Sequence, residues 1–348
     1  MTVSLEDVHR AARRIDDADG IRQTPTERST SLGERIGADV VLKLEHFQKT
    51  GSFKPRGAYN KVVQVADSGD ASRVVAASAG NHAQGVAYAA TERGLDSLIV
   101  MPETAPQAKI DATRGYGATV ELHGETFAEA MAVAQGIADD PETAFVHAYD
   151  DPAVIAGQGT LGLEILDQVP DVDTVVVPIG GGGLISGIAT AMTAADHDVR
   201  VVGVQAEKAS TVPQSLQKGE PVENETPDTI ADGIATGGVS EQTYEIIEQH
   251  VDEVVTVSET EIAEATLYLL ERTKQMVEGA AATSVAALHS DELEYEGTVV
   301  PVLCGGNIDI ATLQDVLTRA LVDRRQFVTI RVRIDDRPGV LGELAELI

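Results

Sequence analysis

The 348-residue chain has one cysteine, Cys304, so no internal disulfide can form, which fits a protein of the reducing cytosol. Basic residues are also scarce: 26 Lys and Arg stand against 56 Asp and Glu, a formal net charge of −30. The acids are spread along the whole chain, so the charge belongs to the surface at large. Such a surface repels a phosphate backbone and an anionic bilayer, which argues against nucleic-acid and membrane partners. The histidines are scattered, without HxxxH or His/Cys spacing, and a structural zinc site is not expected. No secretory signal is expected, because "MTVSLEDVHRAARRIDDA" lacks an apolar core. That segment predicts an amphipathic helix with Ser4 and Asp7 as its capping box and Leu5, Val8, Ala12 and Ile15 on one face. One charge-free run, 174–195, has the length of a bilayer span. Its proline and four consecutive glycines fit instead a buried strand, a loop and a helix of a soluble protein.

What is present is alternation. β-Branched runs (VVLKLE, VVAASA, SLIVMP, ATVELHG, AFVHAY, TVVVPIG, RVVGVQAE, EVVTVS, TVVPVLCGG) alternate with helical patterns such as 82–94, 126–138, 184–196 and 259–276. This predicts an α/β fold with mainly parallel, right-handedly wound sheets. Lobe boundaries are expected near Lys49 and near Tyr149–Pro152. The last segment, "FVTIRVRIDDRPGVLGELAELI", reads as a strand, a turn and a helix that cannot bury a core by themselves. Few lysines among many dispersed carboxylates are also the pattern of proteins from salt-loving organisms.

Four turns carry chemistry. In "KTGSFKPRG" (49–57), Lys54 stands in the first turn of a predicted helix, where the helix dipole disfavours a cation. Ser52 is expected to cap that helix, with Pro55 in its first turn. In "VVVPIGGGGLISG", glycines between a strand and a helix expose backbone N–H groups that suit a phosphate. The run has neither the spacing and acid of a dinucleotide fingerprint nor a following GKS/T. In "SAGNHAQG", the Ser78–His82 turn suits a carboxylate, although Ser78 or Asn81 as a plain helix cap explains it equally well. His82 fits helix-start packing better than general-base work. Cys304, at the end of a strand before Gly305, Gly306 and Asn307, is either inert core or a contact to a ligand at the strand ends. A neutral amine, a phosphate site and a carboxylate site together suggest pyridoxal phosphate.

With "SFKPRGA", "SAGNHAQG", "PIGGGGLISG", "TIADGIA", "VEGAAA" and "LCGGNID" in order, the chain resembles the threonine dehydratases among the fold type II pyridoxal-phosphate enzymes. The resemblance implies two open, twisted, mainly parallel sheets flanked by helices, with pyridoxal 5'-phosphate between the lobes. It implies a catalytic unit at 1–325, its small lobe at about 49–150 inserted in a large lobe of 1–48 and 151–325. Residues 326–348 resemble the start of an ACT-like regulatory domain that would take an amino-acid effector. Lys54 would be the Schiff-base lysine and Phe53 would pack on the pyridine ring. Gly180, Gly181, Gly182, Gly183 and Leu184 would hold the phosphate, and Asn81 the phenolic oxygen. Ser78, Ala79, Gly80, Asn81 and His82 would hold the substrate carboxylate, and Cys304 would face the pyridine nitrogen. Gly233 and Glu278 match pocket-lining positions, although Glu278 as an ordinary helix N-terminal acid stands equally open.

The implied reaction is conversion of L-threonine to 2-oxobutanoate and ammonia, with serine giving pyruvate, by a homodimer or homotetramer. Related serine racemases carry a serine where this chain has Ala79, so racemisation is expected to be poor. They also bind a divalent cation through an acidic cluster. Here Glu207 remains while Val212 and Pro213 replace further acids, so a monovalent ion or none is expected.

Overall fold

A computed structural model describes residues 3–224, 228–290 and 293–328, together with 333, 339, 340, 342 and 346. The strands run β1 (Thr26–Arg28), β2 (Asp39–Lys43), β3 (Arg73–Ala77), β4 (Asp96–Met101), β5 (Thr119–Leu122) and β6 (Thr143–Phe145). They continue as β7 (Val172–Pro178), β8 (Arg200–Ala206), β9 (Glu253–Val257) and β10 (Thr298–Pro301). Among the described residues two sheets result, ordered β1-β2-β10-β7-β8-β9 and β5-β4-β3-β6. Every neighbouring pair is parallel except β1–β2. All nine apolar runs become strands; β1 was not anticipated. It is a three-residue edge strand with no buried residue, so it leaves no apolar period in the sequence.

The inner strands read as continuous apolar runs because helices cover both faces of each sheet. β7 and β8 are buried almost throughout, within a core that extends from Leu32 to Cys304. The smaller sheet has its own core around Val74, Ala76, Ile99 and Met101. Helices Pro152–Gln168 and Gly183–Met192 meet nearly backbone to backbone, since a Cβ on Gly159 would lie 2.7 Å from the Gly187 carbonyl oxygen. This contact fixes the helix that begins at the glycine run.

The first helix, Leu5–Ile15, carries the expected Ser4/Asp7 capping box. Its buried face is Val8, Ala11 and Ile15, with Ala11 in place of Ala12, following i, i+3, i+7 spacing. The single helix expected over 259–276 is shorter. Glu259–Tyr268 passes into a π-turn over Leu269–Thr273, and Lys274 in left-handed conformation (φ 61°) ends it. The chain then continues without regular structure to Glu278. The ACT-like reading of 326–348 falls largely outside the described residues.

Beneath the Lys54 helix lies a buried ionic network. Arg56 donates to Glu45 and to Glu164, at 2.6 Å each, and Lys43 Nζ donates to Glu164 at 2.8 Å. Arg56 and Glu45 are 1% and 0% exposed, so the pair is viable only because each charge is answered. The network ties β2, the Lys54 helix and the Pro152 helix together.

Candidate active site

The parallel strands end around one cleft, as ligand sites in open α/β sheets do. The Ser78 turn follows β3, the segment 146–149 follows β6, the glycine run follows β7 and Cys304 follows β10. Lys54 begins the helix Lys54–Ser68 with Pro55 in its first turn. Ser52 does not cap it. Ser52 is extended (φ −162°, ψ 167°), bridges to Gly305, and buries its Oγ without a hydrogen-bond partner. The Phe53 N–H donates to the Cys304 carbonyl at 3.1 Å and the Gly306 N–H to the Gly51 carbonyl at 2.9 Å. The Lys54 segment is thereby laced to the strand end. Lys54 Nζ donates to the Ala148 carbonyl at 3.0 Å and lies 5.0 Å from the Phe53 ring centre. Burial lowers its pKa from 10.5 to about 8, against the opposing pull of Cys304 and Glu278. The helix position suggested a weakened cation; desolvation is the leading cause.

At the glycine run, Gly182 is left-handed (φ 88°) and opens the helix Gly183–Met192 with no side-chain cap. A Cβ on Gly181 would strike the Tyr149 ring, and one on Gly182 would lie 2.8 Å from Thr243 Cβ. Thr243 Oγ1 also donates to the Gly181 carbonyl at 2.9 Å and fixes the loop from behind. The glycines are thus required by close approach on two sides.

Neither Ser78 nor Asn81 is a plain cap: the helix Asn81–Arg93 has Gly80 at its N-cap and no side-chain cap bond. Ser78 Oγ instead accepts from the Gly80 N–H at 3.1 Å. Asn81 Nδ2 donates to both Glu278 oxygens, at 2.9 and 3.1 Å, while Asn81 Oδ1 accepts from Asn307 Nδ2 at 2.7 Å. Glu278 stands at the N-cap of the helix Gly279–Ala286 but makes no side-chain cap bond there. It is 5% exposed, and burial raises its pKa from 4.5 to about 7. A Cβ on Gly305 would collide with Glu278 Oε1, and one on Gly233 would lie 3.1 Å from it. His82 is buried, its Nε2 bonds the Val146 carbonyl at 2.8 Å, and burial with nearby Lys54 pushes its pKa down to about 3. It is neutral at any working pH. Burial also raises the Cys304 thiol well above 9.0, so it stays protonated. Ala79 brings no ionisable group to the turn.

The structure therefore gathers Phe53, Lys54, the Ser78–His82 turn, the glycine run, Gly233, Glu278 and Cys304 into one neighbourhood. Glu207 is not among them. It is exposed after β8, and among the described residues no group of three or more His, Cys, Asp or Glu could hold a metal ion. Ala148, Tyr149, Thr243 and Asn307 were not anticipated in these roles. They act through a carbonyl, a ring face or a hydrogen bond to another residue, and no spacing marks such roles.

The residues fit pyridoxal phosphate. Four helices begin at the cleft, at Lys54, Asn81, Gly183 and Gly279, and none has a side-chain cap. Among the described residues six helices elsewhere do, starting at Leu5, Phe127, Pro152, Glu241, Glu259 and Ile310. Three others, at Thr30, Gln107 and Val212, also lack one. N–H groups at bare helix starts suit a phosphate and a carboxylate, a readily neutralised amine suits an aldehyde, and a protonated thiol suits an uncharged ring nitrogen.

Comparison with known proteins agrees. Residues 18–305 match the family described as "Pyridoxal-phosphate dependent enzyme". An L-threonine ammonia-lyase of Thermotoga maritima is 45% identical over 347 residues, covering 99% of this chain and 86% of that protein. One of Geobacter sulfurreducens is 46% identical over 326 residues, covering 93% and 81%. Among solved structures, the processed form of threonine deaminase isoform 2 from Solanum lycopersicum is similar with a TM-score of 0.84 and 33% identity, covering 92% of this chain and 91% of that one. Maize serine racemase gives 0.85 and 32%, covering 93% and 100%. By sequence along nearly its whole length and by fold, the chain belongs to the fold type II pyridoxal-phosphate dependent enzymes.

Proposed function

We propose that the chain is a threonine ammonia-lyase, releasing ammonia and 2-oxobutanoate from L-threonine and pyruvate from L-serine. The observation that carries this is the buried Lys54 amine, with its pKa lowered to about 8, standing beside the neutral Cys304 thiol. Pyridoxal phosphate, when bound, supplies an electron sink conjugated to the substrate's α-carbon. Lys54 would attach it, Gly180–Leu184 would bind its phosphate, Phe53 and Gly233 would flank its ring, and Asn81 and Cys304 would meet its polar edge. The Ser78–His82 turn binds the substrate carboxylate through backbone N–H groups and the Ser78 hydroxyl. Lys54 Nζ, held by the Ala148 carbonyl, takes up the α-proton. The β-hydroxyl then leaves as water, consuming one proton for the one released at the α-carbon, and the released enamine takes up water to give the keto acid and ammonia. The Cys304 thiol bears no charge to offer a ring nitrogen, a setting that favours prompt β-elimination. With no proton donor on Ala79, the face opposite Lys54 lacks the group a racemase needs.

The test is keto-acid formation by the purified enzyme. L-Threonine should yield 2-oxobutanoate, Lys54→Ala should yield none and lose the visible absorption of bound cofactor, and D-serine should not accumulate from L-serine. Racemised serine without keto acid would sink the proposal.

Further parts of the proposal rest on sequence and likeness. These are the division into lobes at about 49–150 and at 1–48 with 151–325, a homodimeric or homotetrameric assembly, and a cytoplasmic, high-salt setting. No helix among the described residues is long and apolar enough to cross a membrane. An ACT-like segment at 326–348 points to amino-acid regulation and to isoleucine formation. Inhibition of the threonine reaction by isoleucine checks that point.

A further inference from the structure

Asn307 belongs to none of the assigned groups, yet it touches the turn before Lys54 and the start of the Asn81 helix. Its Nδ2 lies 2.7 Å from the Thr50 carbonyl oxygen and 2.7 Å from Asn81 Oδ1. A backbone carbonyl only accepts, so the Asn307 atom facing it must be the amide nitrogen. That leaves the facing atom of Asn81 no choice but to be its oxygen. The Asn81 nitrogen then turns to Glu278, which accepts at 2.9 and 3.1 Å. With one hydrogen shared between the Glu278 oxygens, the other remains for the cleft. The Thr50 carbonyl is itself held firmly. Thr50 and Gly51 are both left-handed, at φ 65° and 75°, and the Gly51 carbonyl is bonded by the Gly306 N–H at 2.9 Å. A side chain on Gly51 would displace the Asn307 amide.

We infer that Asn307 is a positioning residue for the reaction: it fixes the amide of Asn81 so that an N–H, and not the carbonyl, faces the phenolic oxygen of the cofactor. This rests on the reading of Asn81 as the partner of that oxygen. Glu278 accepts from the same Asn81 amide, so the Asn307 variants measure the share of that orientation which Asn307 sets. Asn307→Asp is the sharp perturbation, because a carboxylate cannot donate to the Thr50 carbonyl and invites the Asn81 amide to turn round. Asn307→Ala removes both bonds without imposing the opposite polarity, and it carries the comparison if the Asp variant does not fold.

The experiment reads the absorption of the substrate-free holoenzyme, which reports whether the phenolic oxygen is anionic, alongside threonine kinetics. Both variants should shift intensity from the long-wavelength to the short-wavelength band. kcat should fall about tenfold or more with KM changed less than about threefold. In an Asn81→Ala background, Asn307→Asp should add nothing further to the spectrum. An unchanged spectrum in both Asn307 variants, with Asn81→Ala shifted, overturns the inference alone. The same spectral shift in the Asn81→Ala background also overturns it, since Asn307 would then act without Asn81. An unchanged spectrum in Asn81→Ala overturns the reading of Asn81 and the inference with it.

Discussion

Glu278→Gln should remove a stability penalty that grows as the pH rises. The carboxyl is nearly fully buried, and its pKa climbs from 4.5 to about 7 because desolvation outweighs the Asn81 hydrogen bonds. Its folded value thus lies above its unfolded one. Between pH 4.5 and about 7 the folded chain keeps a proton that the unfolded chain has lost, so stability falls as pH rises through that window. The penalty is absent below the lower value and complete above the upper one. A shift of this size corresponds to about 3 kcal/mol. Glutamine keeps an oxygen for Asn81 and has no charge to desolvate. The variant should therefore be more stable than the parent at about pH 8.5, by as much as about 3 kcal/mol, with the gap closing toward about pH 5. Denaturant unfolding of both proteins across that range measures it. A variant that shows the parent's pH dependence, or is the less stable of the two at high pH, refutes the account of Glu278 as a charge buried against its preference.

Gly181→Ala would drive a methyl into the Tyr149 ring at a rigid loop, and cofactor affinity measured by titration of the apoenzyme should fall about tenfold or more. Cys304 should resist iodoacetamide in the folded enzyme and react once unfolded, because burial keeps its thiol protonated; rapid labelling of the native protein, read by mass spectrometry, contradicts that. Arg56→Ala strands the Glu45 carboxylate in the core and should lower unfolding free energy by about 3–5 kcal/mol in urea, whereas a loss below about 1 kcal/mol would show that the network is not sealed from water.

The sheets were legible because parallel strands covered on both faces must be apolar along their length, as TVVVPIG and RVVGVQAE are. β1 was not, since a three-residue edge strand buries nothing. The glycine run, Lys54 and the SAGN turn were legible for a related reason: backbone N–H groups, close approach and a lone amine leave marks in residue type and order. The role expected of Ser52 failed on conformation, because pairing with Gly305 stretches it away from the helix it precedes. The partners of Asn81 and Glu278 depend on geometry that no local pattern holds. These two residues stand 197 positions apart, and their side chains bond each other while neither makes a side-chain cap bond. Tyr149 and Asn307 lay beyond reach for the same reason, as each matters only through what it leans on.

The bare helix starts around the cleft have a consequence for how long the protein lasts. Donors that no side chain answers leave part of the fold's stabilisation to whatever anion binds there, so folding and cofactor concentration are linked equilibria. Free cofactor at a hundred times its dissociation constant adds about 2.7 kcal/mol to the folded state, and a shortage takes the same amount away. Shortage of the vitamin-derived cofactor would therefore act twice. It would idle the enzyme and, by raising the unfolded fraction exposed to proteases, shrink the pool waiting to be reloaded.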